Sequence, residues 1–149
     1  MADMTEGFTS FDMSSIFDGC INLEEINFNN NFITDKVNDM SRMFFECSSL
    51  TKLDLSNFNT GNVINMEGMF EGCSSLKELN LTNFNTENVT SMLRMFFKCS
   101  SLVKLNLNSF IRKSISCFSF SSPGLLYRTR PPFGWACGER LPVGRQQTA

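Results

Sequence analysis

Residues 39–64 read DMSRMFFECSSLTKLDLSNFNTGNVI, and residues 65–90 read NMEGMFEGCSSLKELNLTNFNTENVT. The two stretches agree at most positions and are offset by 26 residues. Asp12–Asn38 is a diverged copy, one residue longer in its Asn29-Asn30-Asn31 run. Ser91–Ser116 is a copy that decays after Phe110. A unit of this length cannot bury its apolar face alone. Tandem self-similarity at this period therefore predicts a solenoid, in which each unit packs on its neighbours.

Each copy has two halves with different periodicities. In the first half, Met40, Met43, Phe44 and Cys47 fall at i, i+3, i+4 and i+7. That spacing predicts one apolar face of a helix of about two turns. Met66, Met69, Phe70 and Cys73 repeat it, as do Met92, Met95, Phe96 and Cys99, with Met13, Ile16, Phe17 and Cys20 as the first version. Polar Ser41, Arg42 and Glu46 fall on the other side.

The second half reads L-x-x-L-x-L-x-x-F at Leu50, Leu53, Leu55 and Phe58. Leu76, Leu79, Leu81 and Phe84, then Leu102, Leu105, Leu107 and Phe110, are the equivalents. The L-x-L step has period two, so the leucines face inward from a short strand and the residues between face out. Asn-rich turns lead to Val63, Val89 or Ile115, which closes the unit. Parallel strands from successive units would lie about 4.8 Å apart. Two outward columns result. Glu25, Lys52, Glu78 and Lys104 alternate in sign, which favours an in-register parallel pairing. Asn27, Asp54, Asn80 and Asn106 form the next column, where stacked amides can bond along the array.

The ends differ from the middle. Residues 1–11 contain Phe8 and Phe11 but no repeat, and read as a lead-in over the N-terminal end of the stack. Residues 12–116 are the repeat array. In residues 117–149 the composition changes: this segment holds all four prolines, the only Tyr and Trp (Tyr127 and Trp135), and no Asn, Met or Lys. With no helical or strand period, it is expected to be irregular or disordered, and either foreign to the array, as after a frameshift, a read-through or a fusion, or a genuine short tail.

Composition narrows the function. The net charge of −2 suggests neither nucleic acid nor an anionic membrane as partner. No apolar run approaches the roughly 18 residues needed to span a bilayer. The first ten residues carry acids rather than a basic region followed by an apolar one, so no signal peptide is expected. There is no histidine, which removes the commonest general base and metal ligand. The six cysteines contain no CxxC pair. Cys20, Cys47, Cys73 and Cys99 share one repeat column, where a free cysteine serves as a small buried apolar residue rather than a thiolate site. Cys117 and Cys137 lie outside that column. Asn80-Leu81-Thr82 and Asn88-Val89-Thr90 match the N-glycosylation triplet, which arises readily in Asn/Thr-rich repeats. The chain is expected to be no enzyme, with no cofactor and no metal.

The pattern Met40-x-x-Met43-Phe44-x-x-Cys47-Ser48-Ser49-Leu50-x-x-Leu53-x-Leu55-x-Asn57-Phe58-x-Thr60 resembles the BspA-type leucine-rich-repeat surface proteins. It is most similar to the variant first catalogued in mycoplasma lipoproteins as a domain of unknown function. That variant repeats M-F-x-x-C-x-x-L-x-x-L-D-L-S-x-F-D-T-S-x-V-T-x-M, and Asn59 and Asn85 stand where it often has Asp. The match runs from about Asp12 to Phe110. The resemblance implies an α/β, leucine-rich-repeat-like solenoid of about four units, with parallel strands and short helices, displayed on a cell surface. Relatives are linked to adhesion, host-protein binding and cell aggregation, and the family has no catalytic residues to carry over.

Two function readings follow. The first is a non-enzymatic protein-interaction module, a fragment of a surface adhesion-type protein, whose partner is a host or matrix protein. Its contact surface is the outward strand face: Lys52, Asp54, Ser56, Glu78, Asn80, Thr82, Lys104 and Asn106. The second is a truncated array with a structural role or none, acting if at all as an intracellular scaffold and prone to end-to-end self-association through open strand edges.

Overall fold

The structure, a computed structural model, describes residues 11–28 and 31–111 and the backbone of residues 126–127. Every strand is two or three residues long, and every pairing is parallel. The strands are β1 (Phe11–Asp12), β2 (Glu25–Ile26), β3 (Val37–Asp39), β4 (Lys52–Leu53), β5 (Glu78–Asn80), β6 (Lys104–Asn106) and β7 (Leu126–Tyr127). They form three small sheets, ordered β1-β3, β2-β4 and β5-β6-β7. Glu25 lies beside Lys52 and Ile26 beside Leu53, while Glu78, Leu79 and Asn80 lie beside Lys104, Leu105 and Asn106. The period-two register of the sequence therefore holds in the strand half. Isolated parallel bridges join Asp39 to Asn65 and Asn65 to Ser91, carrying a second line of pairing across the repeats.

The first half of each repeat is not a helix. Among the described residues there is no α-helix. Met40–Met43 and Phe44–Cys47 are instead two consecutive turns, closed by Met43 N–H donating to the Met40 carbonyl and Cys47 N–H to the Phe44 carbonyl, both at 3.3 Å. The third residue of each turn, Arg42 and Glu46, has φ of +54°. A positive φ at that position marks a type II turn. The next repeats match, with Gly68 and Gly72 at +59° and +79° and Arg94 and Lys98 at +58°.

The burial pattern explains how the helical reading arose. Two adjoining four-residue turns bury their first and fourth residues, which fall at i, i+3, i+4 and i+7. A two-turn helix would bury the same set. Hydrogen bonding decides between them. At each of the three junctions four amides of one repeat donate to carbonyls of the next, at 2.7–3.0 Å. Met40, Arg42, Phe44 and Glu46 thus bond to Asn65, Glu67, Met69 and Glu71. A two-turn helix leaves most of its first-turn amides without an internal partner and is marginal alone. The turn form hands every second amide to the neighbouring repeat.

The interior is a set of side-chain columns. Met40, Met43, Phe44, Cys47, Leu50, Leu55 and Phe58 are buried, as are their equivalents in the third repeat. The rings of Phe17, Phe44, Phe70 and Phe96 form one continuous stack, with centroids 5.4–5.8 Å apart and planes within 8° of parallel. Phe28 takes the place of Leu55 in the first repeat and meets Phe58 edge-on at 5.0 Å. The first repeat packs less fully: Ile16 and Ile21 are 47% and 56% exposed, and Met13, Phe17, Leu23 and Ile26 are half-buried. Phe11 is also exposed, in β1 beside Val37, and Phe8 lies outside the described residues.

A column of threonines is buried within this apolar set. Thr34, Thr60 and Thr86 are almost fully covered. The Thr60 hydroxyl donates to the Asn85 carbonyl at 3.0 Å and accepts the Asn85 amide at 2.8 Å, and Thr34 treats Asn59 in the same way. Among the described residues no buried side-chain oxygen or nitrogen lacks a partner. Val37, Val63 and Val89 close the repeats as inward residues, and Ile115 lies outside the described residues. Leu126–Tyr127 pairs on Lys104–Leu105, in a segment where the sequence shows no strand period. The remainder of 117–149, including Cys117 and Cys137, is outside the description.

The left-handed turn residues give a paired test. A Cβ on Gly72 would sit 2.7 Å from the Glu46 carboxyl carbon, whereas one on Gly19, with φ of +72°, meets nothing within 4 Å. Gly19→Ala should lower stability by about 1 kcal/mol, the cost of the left-handed conformation alone. Gly72→Ala should cost about 2–3 kcal/mol, because Glu46 must also move. Urea denaturation midpoints of the two variants measure the difference.

Candidate interaction surface

The outward residues of β4, β5 and β6 are exposed, apart from the partly covered Asn106. Side-chain pairing along this face is local. Lys52 Nζ lies 3.4 Å from Glu25, and Lys104 pairs with Glu78. β4 and β5 share no sheet, so Lys52 and Glu78 are not strand neighbours and the alternating column is divided between two sheets. The candidate residues fall into two groups accordingly: Lys52, Asp54 and Ser56 in one, Glu78, Asn80, Thr82, Lys104 and Asn106 in the other. Each ion pair is open to solvent and contributes little to stability.

The second outward column does not form the expected amide ladder. Asp54 accepts the Ser56 amide at 2.9 Å, Asn80 the Thr82 amide at 3.2 Å, and Asn106 the Asn108 amide at 3.3 Å. Each side chain closes a turn on its own chain two residues on, the competing bond that Asn and Asp offer most readily. The Ser56 amide, followed by its hydroxyl, holds the Asp54 carboxyl below the ordinary carboxylate range. Asp12, Asp39, Asn65, Asn59 and Asn85 cap turns in the same manner. The high Asn content thus serves turn formation. Other Asn side chains bond between repeats: Asn83 Nδ2 reaches the carbonyls of Leu55 and Phe58 at 2.9 and 3.0 Å, Asn88 Nδ2 reaches that of Gly61 at 2.7 Å, and Asn59 and Asn65 Nδ2 reach the carboxylates of Asp35 and Asp39 at 2.8 and 3.1 Å.

A second ordered cluster lies over the turns. Arg42 pairs with Asp18 at 2.9 Å and stacks on Phe45, 4.0 Å from the ring centroid. Arg94 repeats this two units later, pairing with the buried Glu71 at 2.7 Å and lying 4.6 Å from the Phe97 centroid. Lys98 reaches Glu46 across Gly72 at 3.8 Å. The absence of a side chain at Gly72 leaves room for that carboxylate. This cluster was legible in the sequence as Arg-x-x-Phe at 42–45 and 94–97, with Gly68 and Glu71 at the corresponding positions between.

The cysteine column is more polar than a set of small apolar residues. Cys47, Cys73 and Cys99 are buried, and each thiol donates to the Phe carbonyl of the preceding repeat: Phe17, Phe44 and Phe70, at 3.0–3.1 Å. Each of those carbonyls also accepts the amide three residues on in its own turn. Cys20 departs from the expected burial: it is exposed, because the first repeat has no described neighbour on that side. Burial, with a smaller effect of Cys20, pushes the Cys47 thiol up to about 11, and burial pushes Cys99 up to about 12 and raises Cys73 as well. Among the described residues no three His, Cys, Asp or Glu side chains come together as a metal site, and no helix is long and apolar enough to cross a membrane.

Stacked parallel strands, tandem turns and side-chain columns spaced by one repeat define a tandem-repeat protein. The chain belongs to the family described as mycoplasma protein of unknown function, DUF285, which matches residues 11–120. No curated protein and no solved structure matches it.

The buried thiols make stability depend on alkaline pH. A thiol in the unfolded chain ionises near 9, and burial raises that value in the fold. Stabilisation by the neutral thiols is complete below pH 9 and is lost as pH rises through about 11 and 12. Urea midpoints should therefore fall across that window, and a Cys73→Ala variant should show a shallower fall. At pH 8, a thiol reagent should label Cys20 in the native chain and Cys47, Cys73 and Cys99 only after denaturation.

Proposed function

We propose that this chain is a leucine-rich-repeat-type solenoid and acts as a non-enzymatic protein-binding module of a surface adhesion-type protein. The observation that carries this reading is a division of labour within the repeat. Met, Phe, Cys, Leu and Thr recur at the buried positions, whereas the outward positions change from unit to unit: Glu25, Lys52, Glu78, Lys104 along the strands and Ser56, Thr82, Asn108 in the turns that follow them. A scaffold with a constant interior and a varied, exposed, extended face is the arrangement repeat proteins use for recognition.

The face is also ordered before any partner arrives. Asp54, Asn80 and Asn106 are held by their own turns, and Glu78 and Lys104 by each other. Side chains already fixed lose less entropy on binding. The partner is a protein of the host surface or matrix, in keeping with the resemblance to surface-displayed repeats. Catalysis has no support in this arrangement: the thiols of Cys47, Cys73 and Cys99 are buried and held neutral, and the sequence contains no histidine to activate a cysteine.

The test is a Glu78→Ala/Lys104→Ala double variant, captured against immobilised matrix and host-surface proteins and followed by surface plasmon resonance. Binding seen with the parent chain should weaken about tenfold, or ~1.4 kcal/mol, while the thermal melt stays within a few degrees. Equal affinity of parent and variant would place the contact surface elsewhere.

A further inference from the structure

We infer that the array is built of two two-repeat units, and that the junction between them, β4 against β5, is a hinge that opens on the strand side and is latched by the Asn83 side chain. This holds whether or not the outward face takes a protein partner. The first observation is the strand pairing. β2 pairs with β4 and β5 with β6, but β4 and β5 share no sheet. The approach to the strands shows the same break. The Thr51 amide donates to the Glu24 carbonyl and the Val103 amide to the Lys77 carbonyl, both at 2.9 Å. Lys77 has the equivalent place at the intervening junction, and its amide reaches no carbonyl of the second repeat. The turn half is unbroken there. Met40, Arg42, Phe44 and Glu46 donate across this junction as their equivalents do at the other two, and the Phe44 and Phe70 rings stack at 5.7 Å.

The second observation is a period of two repeats in the charged residues. The second and fourth repeats carry Arg42 and Phe45, and Arg94 and Phe97, where the first and third carry Ser15 and Asp18, and Gly68 and Glu71. The ion pairs follow this alternation. Asp18 pairs with Arg42 and Glu71 with Arg94 over the turns, and Glu25 pairs with Lys52 and Glu78 with Lys104 along the strands. All four join the first repeat to the second or the third to the fourth. Among the described residues neither set joins the second repeat to the third. Lys98 and Glu46 do pair across this junction, but over Gly72 on the turn side, where the backbone is already bonded.

The third observation is what spans the junction in place of strand pairing. Asn83 Nδ2 lies 2.9, 3.3 and 3.0 Å from the carbonyls of Leu55, Ser56 and Phe58. At the equivalent positions Asn57 reaches the Phe28 carbonyl and Ser109 that of Leu81. The Ser74 hydroxyl donates to the Ser48 carbonyl at 3.3 Å, on the other side of the strand. These side-chain bonds release without breaking a backbone ladder, whereas opening at either of the other junctions would also break strand pairing. The turn ladder is the pivot, and a short boundary that absorbs the change between two packed bodies is the arrangement of a hinge. Opening carries Lys52, Asp54 and Ser56 away from Glu78, Asn80 and Thr82 and so changes the curvature of the outward face.

The experiment measures distances between paired spin labels in a Cys20→Ser/Cys117→Ser/Cys137→Ser background. Labels on Glu24→Cys/Val103→Cys span the junctions on the strand side, and labels on Ser14→Cys/Leu93→Cys span them on the turn side. Glu24, Val103 and Leu93 are exposed and Ser14 is partly so. Pulsed dipolar spectroscopy should give a strand-side distance distribution about twice as wide as the turn-side one. Asn83→Ala should lengthen and widen the strand-side distribution and leave the turn side unchanged. Asn57→Ala, at a junction where the strands remain paired, should change neither. Equal widths in the two labelled chains overturn the inference, as does a cooperatively melting Asn83→Ala variant whose strand-side distribution matches its parent. Should Asn83→Ala fail to melt cooperatively, Asn83→Ser decides in its place: its shorter side chain should widen the strand-side distribution, and an unchanged distribution overturns the proposal.

Discussion

The structure depends on amides that point along the stack. In the turn half, every second N–H is donated to the neighbouring repeat, and the same spacing recurs at each junction. This one commitment of the backbone has wide consequences. It rules out the helix, because those amides are no longer available to carbonyls in their own chain. It requires turns in which alternate peptides face up the stack, and so requires a left-handed residue twice per repeat. Glycine is suited to that conformation, and Gly68 and Gly72 occupy both positions in the third repeat. Arg42, Glu46, Arg94 and Lys98 adopt it at some conformational cost. Their long side chains then lie over the turns, where they form the ion pairs and ring contacts seen there.

The interior combines apolar packing with a small number of repeated polar contacts. Phe, Met and Leu columns supply the apolar area, and the stacked rings keep successive repeats parallel. Threonine and cysteine act differently. Each bonds to a backbone group of an adjacent repeat: Thr60 answers both polar groups of Asn85, and Cys73 gives the Phe44 carbonyl a second donor beside the Cys47 amide. A buried carbonyl or amide without a partner costs more than a single hydrogen bond contributes. These columns therefore specify the alignment of one repeat on the next, which apolar contacts alone leave loose.

The outward face inherits its order from the same turns. Asn and Asp side chains are drawn to amides two residues on, which fixes the corners of each repeat and leaves the exposed positions between them free to differ. Variation at Lys52, Glu78 and Lys104, or at Ser56 and Thr82, leaves the buried columns untouched. Constancy inside and diversity outside are compatible because the two sets of residues alternate along a strand.

Much of this was decided by sequence alone. The period, the number of repeats, the inward Leu, Phe, Met and Cys positions of the second and third repeats and the parallel register of Glu25 with Lys52 and of Glu78 with Lys104 all follow from spacing, since period two and tandem identity each have one simple physical reading, whereas Cys20 in the first repeat is exposed. The turn half could not be decided in this way. Met40, Met43, Phe44 and Cys47 satisfy the helical spacing and the tandem-turn spacing equally, and the choice rests on a carbonyl supplied by the next repeat. The same reason hides the hydrogen bonds of Thr60 and Cys73, the division of the charged column between β4 and β5, and the pairing of Leu126–Tyr127 on β6. In each case the deciding partner lies roughly one repeat away in the chain, and only the stacked structure brings it within bonding distance.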